Sequence, residues 1–312
     1  MVNTILLSVC IPTYNGESHL SLCLETLIRA VNNRNDVEII VSDNCSIDNT
    51  HEILERFKLN NRIHVHTNQN NLGFNGNIKL IIDELSKGKY TWIIGDDDIV
   101  DFDSIDILCE LLSEKDVDFI CINHRMLSYD EVKIKKRNEN RHVEGQIGHY
   151  FKALDNVASA GNILGTFMSS QIFKTEVIRQ FDKSVFGAND WTNFKTTFPN
   201  SYMMTQSFYA SKKCLSIKEP LLTAFLHEKS WDDKLYIVST KILPDYLDYC
   251  LSICANPNDL ENNSRLVEKA KCSYYLKDIF KFRINYSIIS YLIIHLPKVV
   301  FLKIKDTFVK AS

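Results

Sequence analysis

Glycine-rich phosphate loops are missing from this sequence. The turn after the first apolar run, "PTYNGESHL", holds one glycine. A dinucleotide site needs Gly-x-Gly-x-x-Gly there, so that backbone can approach a pyrophosphate closely, and its absence argues against NAD or FAD. Gly-x4-Gly-Lys-Ser/Thr is absent too, and with it a P-loop. Neither His-Glu-x-x-His nor Gly-x-Ser-x-Gly occurs. No run reaches the roughly 18 apolar residues that a spanning helix needs. The short apolar start, "MVNTILLSVCIPTYNG", lacks the basic opening and small-residue cleavage site of a signal peptide, and reads as a first strand. The nine cysteines include no Cys-x-x-Cys pair. Cys250 and Cys254 are at helical spacing with no metal partners nearby, so reduced cytosolic thiols are expected. A net charge of -3 lacks the basic excess of a nucleic-acid binder.

What is present is a chain of 312 residues, 45% apolar, long enough for one large domain or for one domain with an appendage. Apolar runs at 4–12, 37–43, 62–67, 90–95 and 118–123 read as strands. Between them, 18–31, 48–57, 71–87 and 103–113 carry apolar residues at helical spacing, such as Leu20, Leu24, Leu27, Ile28 and Val31. This alternation predicts an α/β fold, a Rossmann-like, mostly parallel sheet flanked by helices. Beyond about 125 the pattern weakens. Residues 129–146 are charged, 181–204 are rich in aromatics, and a helical extension is expected from about 240.

Parallel sheets bind ligands at the carboxyl ends of their strands. Three polar clusters fall at such ends: Pro12-Thr13-Tyr14-Asn15, Ser42-Asp43-Asn44 and Asp96-Asp97-Asp98. Two unit charges about 4 Å apart repel by roughly 4 kcal/mol at an effective dielectric near 20, so three carboxylates together need a reason. A divalent cation among them supplies one, since Mg²⁺ and Mn²⁺ take hard oxygen ligands and share them with substrate phosphates. An acidic helix start would also place Asp there. The buried strand before the triplet and the two polar strand ends beside it favour the cation. Tyr14 and Asp43 suit a nucleotide base, one by stacking and one by accepting a ring N–H. A packed Tyr and a turn-forming Asp are the plainer alternatives.

At these residues the chain resembles the family 2 glycosyltransferases. The matching words are "SVCIPTYNG" (8–16), "VEIIVSDNCSIDNT" (37–50), "NQNNLGFNGN" (68–77) and "GKYTWIIGDDDIVD" (88–101), in the family's order and spacing over about the first 125 residues. The form "SDN-x-S-x-D-x-T" with "GDDD" and a later "FP" is similar to a bacterial O-antigen subgroup that includes abequosyltransferases, through about residue 230. The resemblance implies a GT-A fold, with a catalytic domain over 1–235. Its nucleotide-sugar half would be 1–125 and its acceptor half 126–235, with 236–312 as a C-terminal helical segment. It implies a sugar transferred, with inversion, from a nucleotide-sugar donor to a saccharide acceptor in surface polysaccharide synthesis, with Mn²⁺ or Mg²⁺ as cofactor.

Carried over by residue, the resemblance assigns Pro12, Thr13, Tyr14, Asn15 and Asp43 to the nucleotide. Asn71, Gly73 and Asn77 belong to the segment that approaches the donor, where a capped turn and helix start is the alternative. The family's acidic motif is usually Asp-x-Asp-Asp, and here its first position is Gly95. Asp97 and then Asp98 align with metal ligands, and Asp96 with ribose or metal. No Glu-Asp pair for the catalytic base occurs in 176–205. Asn200 stands near the expected place, and Asp190 is the nearest carboxylate. His227 matches a late loop that reaches the diphosphate or metal. A sugar nucleotidyltransferase and a non-catalytic nucleotide-sugar-binding subunit are the alternatives. The former usually has a Gly-rich basic loop after its first strand, which is absent here.

The stretch from Arg265 to Ser312 holds ten Lys or Arg against three Asp or Glu, in a chain that is acidic overall. Its apolar centre, 284–296, is broken by Asn285, Ser287, Ser290 and His295 and ended by Pro297. Too short and polar to span, it suits the interface of an anionic membrane. The expected partners are thus a polyprenyl-diphosphate-linked acceptor and the inner membrane surface, with the protein peripheral on its cytoplasmic face. The expected outcome is binding to anionic liposomes that weakens with salt and is lost on truncation after residue 264, read by flotation.

Overall fold

The computed structural model describes residues 4–127, 143–144, 167–187, 191–210 and 214–225, and six positions between 237 and 249. Asp190, His227, most of the charged stretch at 129–146 and the basic C-terminal segment lie outside the described residues. Two compact units divide the chain: Met1–Asn189 with Phe198–His227, and Asp190–Thr197 with Glu228–Ser312.

The first unit is built on one sheet. Strand β1 (Leu7–Thr13) lies parallel to β2 (Val37–Asp43) on one side and to β4 (Tyr90–Ile93) on the other, and β2 lies parallel to β3 (Ile63–Thr67). Leu7, Val9, Cys10 and Ile11 of β1 are fully buried, as are Ile39 and Val41 of β2. Burial of successive residues marks a sheet covered on both faces. Helix α1 (Leu20–Val31) turns Leu20, Leu24, Leu27 and Val31 inward, and α2 (Thr50–Phe57) buries Ile53 and Leu54. The order β3-β2-β1-β4 reverses direction at β1, which makes the crevice between the ends of β1 and β4 the switch point where such sheets bind ligands.

The helix expected over 71–87 is α3 (Gly73–Leu80), continued by a widened π turn at Ile81–Leu85. The widening coincides with a side chain that takes up its carbonyls. Arg179 donates from Nε to Ile82 O at 2.8 Å and from Nη2 to Ser86 O at 2.6 Å.

Past β4 the sheet becomes mixed. Short β5 (Ile99–Val100) precedes α4 (Ser104–Glu114), whose Ile105, Leu108, Cys109 and Leu112 are buried. The strand expected at 118–123 is β6 (Phe119–Leu127), but it does not sit beside β4. After β7 (Val143–Glu144) comes β8 (Gln171–Lys174), which inserts antiparallel between β4 and β6. It pairs Ile172 with Trp92 and with Ile120, and the Phe119 and Phe173 rings meet at 5.1 Å. Helices α5 (Thr175–Ile178), α6 (Phe194–Thr197) and α7 (Pro199–Ala210) follow. Strand β9 (Cys214–Phe225) then runs parallel to β6 and pairs antiparallel with β5 and β7.

The second unit contains α6. Phe194 packs its ring 5.1 Å from Tyr246 and 4.9 Å from Tyr249, its backbone N–H donates to Asp245, and Lys195 lies over the Tyr249 ring. Its described positions from 237 onward are helical.

At the amino-terminal edge of the sheet, buried Glu38 accepts from Ser8 Oγ at 2.5 Å and from the Lys87 N–H at 2.9 Å, while the Gly88 N–H donates to Ser8 Oγ at 2.7 Å. A Cβ on Gly88 would stand 2.6 Å from the backbone nitrogen of Ser8. That neighbour is main chain and cannot rotate away. Gly88→Ala is expected to destabilise the protein by about 1–3 kcal/mol, seen as a lower midpoint in thermal unfolding.

Candidate active site

The strand-end loops at the switch point are laced to one another. After β1 the chain turns through Asn15, and after β2 through Cys45, both left-handed at φ 57° and 65°. Such backbone is strained for residues with a Cβ and persists where its surroundings fix it. Here the Asn15 N–H donates to Ser46 Oγ at 2.9 Å, and Asn15 Oδ1 accepts the Ile47 N–H at 3.0 Å. The Gly16 N–H donates to Thr50 Oγ1 at 2.8 Å. Asp43 is 2% exposed and accepts at Oδ1 from the N–H and hydroxyl of Ser46. Its Oδ2 accepts no hydrogen bond among the described residues. Tyr14, by contrast, is 45% exposed on the rim.

A buried amide network fixes the next loop. Asn44 Nδ2 donates to Asn71 Oδ1 at 2.9 Å and to the Gly73 carbonyl at 3.2 Å. Asn44 Oδ1 accepts from Asn68 and from the Leu72 N–H, both at 2.9 Å. Asn77 accepts from Ser42 Oγ at 2.6 Å and from Asn68 at 3.0 Å, and donates to the Ser42 carbonyl. Asn77 is 2% exposed, and Gly73 takes a φ of 70° that suits glycine. The structure thus joins Asn71, Gly73 and Asn77 to the end of β2, with the amides of Asn71 and Asn77 engaged in holding α3 in place.

The three carboxylates after β4 meet three environments. Asp96 accepts the Thr13 hydroxyl at Oδ2, 2.6 Å away, and its Oδ1 lies 3.4 Å from His19 Nε2. Gly16 leaves room for this arrangement, since a Cβ there would stand 2.7 Å from Asp96 Oδ2. The hydrogen bond to Asp96 raises the pKa of His19 against the opposing effect of burial, and the charges of Asp96, Asp97 and Asp48 add to the rise. Asp98 turns inward and is 3% exposed; its Oδ2 accepts the Gly95 N–H at 3.2 Å. Burial, with repulsion from Asp97 next, pushes Asp98 up to about 8, against hydrogen bonds from Ser169 and Gly95. Asp97 is half-buried. A Cβ on Gly95 would lie 2.5 Å from Asp97 Oδ1 and 3.0 Å from Asp98 Oδ2, so glycine at this position clears space for the carboxylates that follow.

Two of these participants carry no signal in the motifs. His19 reads in the sequence as a polar residue at a helix start. Ser169 sits before β8 and ties it to the triplet: its hydroxyl oxygen accepts the Gly95 N–H at 2.9 Å and its carbonyl accepts Trp92 Nε1 at 2.7 Å. Pro12 and Thr13 end β1 and Asp43 ends β2, while Tyr14, Asn15, Asp96, Asp97 and Asp98 lie on the loops that follow β1 and β4. Asn200 lies elsewhere, buried in the first turn of α7, a helix packed on β6 and β8.

Among the described residues no three His, Cys, Asp or Glu side chains form a ready cation cage. Asp97 and Asp98 are nevertheless a hard-oxygen pair. Burial and the adjacent Asp97 charge both disfavour an ionised Asp98, and a cation would relieve both. One or two carboxylates completed by substrate phosphates is how Mg²⁺ is usually held, and the pair fits that pattern.

The model of glycosyl transferase family 2 matches residues 8–181. The abequosyltransferase RfbV of Salmonella typhimurium is 29% identical over 263 residues, 78% of this chain and 73% of that protein. In fold, the chain is similar to Staphylococcus aureus TarS 1-349, with a TM-score of 0.63 at 14% identity, covering 94% of this chain and 79% of that one. It is also similar to the Pyrobaculum calidifontis mannosyltransferase PcManGT, solved with GDP-Man and Mn²⁺, with a TM-score of 0.57 at 11% identity over 94% and 80%. The mixed α/β sheet is therefore a GT-A sheet.

Asp98 yields a stability test. Its carboxyl keeps a proton up to about pH 8 when folded, whereas in the unfolded chain it ionises near pH 4. Between those values the folded state binds more protons, so this group lowers stability as pH rises through the window. In the presence of chelator, Asp98→Asn is expected to unfold at a higher temperature than wild type at pH 8, with the gap closing toward pH 4. A thermal unfolding series across pH checks this.

Proposed function

This chain belongs to glycosyltransferase family 2 and is a glycosyltransferase, and from that premise we propose that it moves a sugar from a nucleotide-sugar donor to a hydroxyl of a lipid-linked saccharide in bacterial surface polysaccharide synthesis. The observation that carries the donor site is the convergence of Thr13, Asp43 and the acidic triplet on one switch point, through bonds such as Thr13 to Asp96 at 2.6 Å. Family membership favours transfer over the nucleotidyltransferase and the non-catalytic readings.

In this reading exposed Tyr14 stacks on the base, and Asp43 accepts a ring N–H at Oδ2 while Ser46 holds Oδ1. Pro12, Thr13 and Asn15 shape the base and ribose pocket, Asp96 faces the ribose and sugar, and the segment of Asn71, Gly73 and Asn77 approaches the donor. Asp97 and Asp98 are the residues that would hold Mn²⁺ or Mg²⁺, which when bound neutralises charge on the leaving diphosphate. His227 is assigned to that diphosphate or its metal. The acceptor hydroxyl attacks the anomeric carbon, the bond to the diphosphate breaks, and the configuration inverts. Asp190 takes the hydroxyl proton, and Asn200 helps place the acceptor. Similarity to RfbV supports an O-antigen type of product. No helix among the described residues is long and apolar enough to cross a membrane. The basic C-terminal segment supports a peripheral position on the cytoplasmic face, where a polyprenyl-diphosphate acceptor is presented.

The test is calorimetric binding of UDP, GDP, CDP and dTDP, each with and without Mn²⁺, to wild type and Asp97→Ala. Metal-dependent binding of one nucleotide is expected, lost in the mutant, together with a fall in transfer of at least about 100-fold in a protein that stays folded. Full activity in Asp97→Ala overturns the assignment.

A further inference from the structure

Asp96 stands apart from its two neighbours in how it is held. Both of its oxygens face groups of the β1–α1 turn: Oδ2 takes the Thr13 hydroxyl at 2.6 Å, and Oδ1 lies at ion-pair distance, 3.4 Å, from His19 Nε2. The imidazole is itself oriented from behind, because its Nδ1 lies 2.8 Å from Ser18 Oγ. With Nε2 directed at a carboxylate, that nitrogen carries a proton. Nδ1 then accepts from the Ser18 hydroxyl when the ring is neutral and donates to it when the ring is charged. Asp98 has a different partner, accepting the Gly95 N–H. The triplet is therefore divided, with one carboxylate tied to α1 and one to the strand-end turn.

We propose that His19 is a positioning residue for Asp96, holding that carboxylate on the donor side of the triplet and out of reach of a cation at Asp97 and Asp98. The proposal rests on the donor-site reading and deepens it. Three acidic side chains in sequence would otherwise compete for one cation. With Thr13 and His19 on its two oxygens, Asp96 presents a fixed edge to the hydroxyls of the sugar nucleotide. Side-chain exposures of 30% for His19 and 19% for Asp96 leave the pair within reach of a ligand. His19 is the residue preceding α1 and no part of the hydrophobic core, so its truncation is compatible with folding.

The experiment compares His19→Ala, Asp96→Asn and the double variant with wild type. Each receives two calorimetric titrations: Mn²⁺ alone, and the nucleoside diphosphate that wild type binds in the presence of Mn²⁺. His19→Ala is expected to weaken nucleotide binding roughly three- to tenfold, and in the Asp96→Asn background it should add nothing. Affinity for Mn²⁺ alone should not fall, because the freed carboxylate becomes available to the ion. A general disturbance of the loop would instead weaken both titrations, with or without Asp96, and that result overturns the proposal. So does nucleotide binding unchanged from wild type in His19→Ala while Asp97→Ala abolishes it, an outcome that leaves the donor site standing. If wild type binds none of UDP, GDP, CDP and dTDP, the donor-site reading falls, and the role of His19 with it.

Discussion

Like charges crowded at the end of a buried strand repel, and the architecture around β4 is arranged to keep them apart. Gly95 is the pivot. Its N–H is shared by Asp98 and the Ser169 hydroxyl, and its lack of a Cβ leaves the space that the Asp97 and Asp98 carboxylates occupy. Asp96 is bonded to Thr13 at the end of β1, Asp98 is turned inward where burial and the Asp97 charge raise its pKa, and Asp97 is half-buried. A family pattern that ordinarily begins with an aspartate begins here with glycine, and a side chain at that position would displace the carboxylates after it. Repulsion is thereby eased by separation, and the raised pKa of Asp98 favours its neutral form.

The loops that face this turn are rigid for a related reason. Left-handed Asn15 and Cys45 hold conformations that cost energy; Asn15 is pinned to Ser46 after β2, and Ser46, next to Cys45, is pinned to Asp43. The asparagines at 44, 68, 71 and 77 satisfy one another and the backbone between them, so few buried amide groups are left to seek water. A site preorganised in this way loses little conformational entropy when a flexible, charged ligand arrives.

Much of this was legible along the chain, because strand and helix periodicities are local. The order from β1 to α4 and the polar strand ends follow from apolar spacing and from one proline. The acidic triplet was visible as an anomaly of charge. The division of labour inside it was not. Asp96, Asp97 and Asp98 are chemically identical in sequence, and what distinguishes them comes from Thr13, His19 and Ser169, brought in by other strands. Strand β8 escaped because four residues, Gln171–Lys174, are too few for a period to show. The π turn was hidden for the same reason, since Arg179 lies far along the chain from the carbonyls it takes.

The placement of β8 bears on how the protein is made. Strand β4 is bordered by β1 on one edge and by β8 on the other, and β8 is synthesised about 80 residues later. Until it emerges, the edge of β4 carrying Trp92 has backbone donors and acceptors without partners, and β6 has no neighbour in the sheet at all. An unfinished chain therefore presents a sticky edge, open to pairing with another copy. The first 125 residues, although they carry the polar strand ends, leave this edge of their sheet unpaired. The strand that borders the far edge of β4 is threaded back from residues 171–174, so the sheet carrying the strand-end loops is completed only in a chain that has been read through to it.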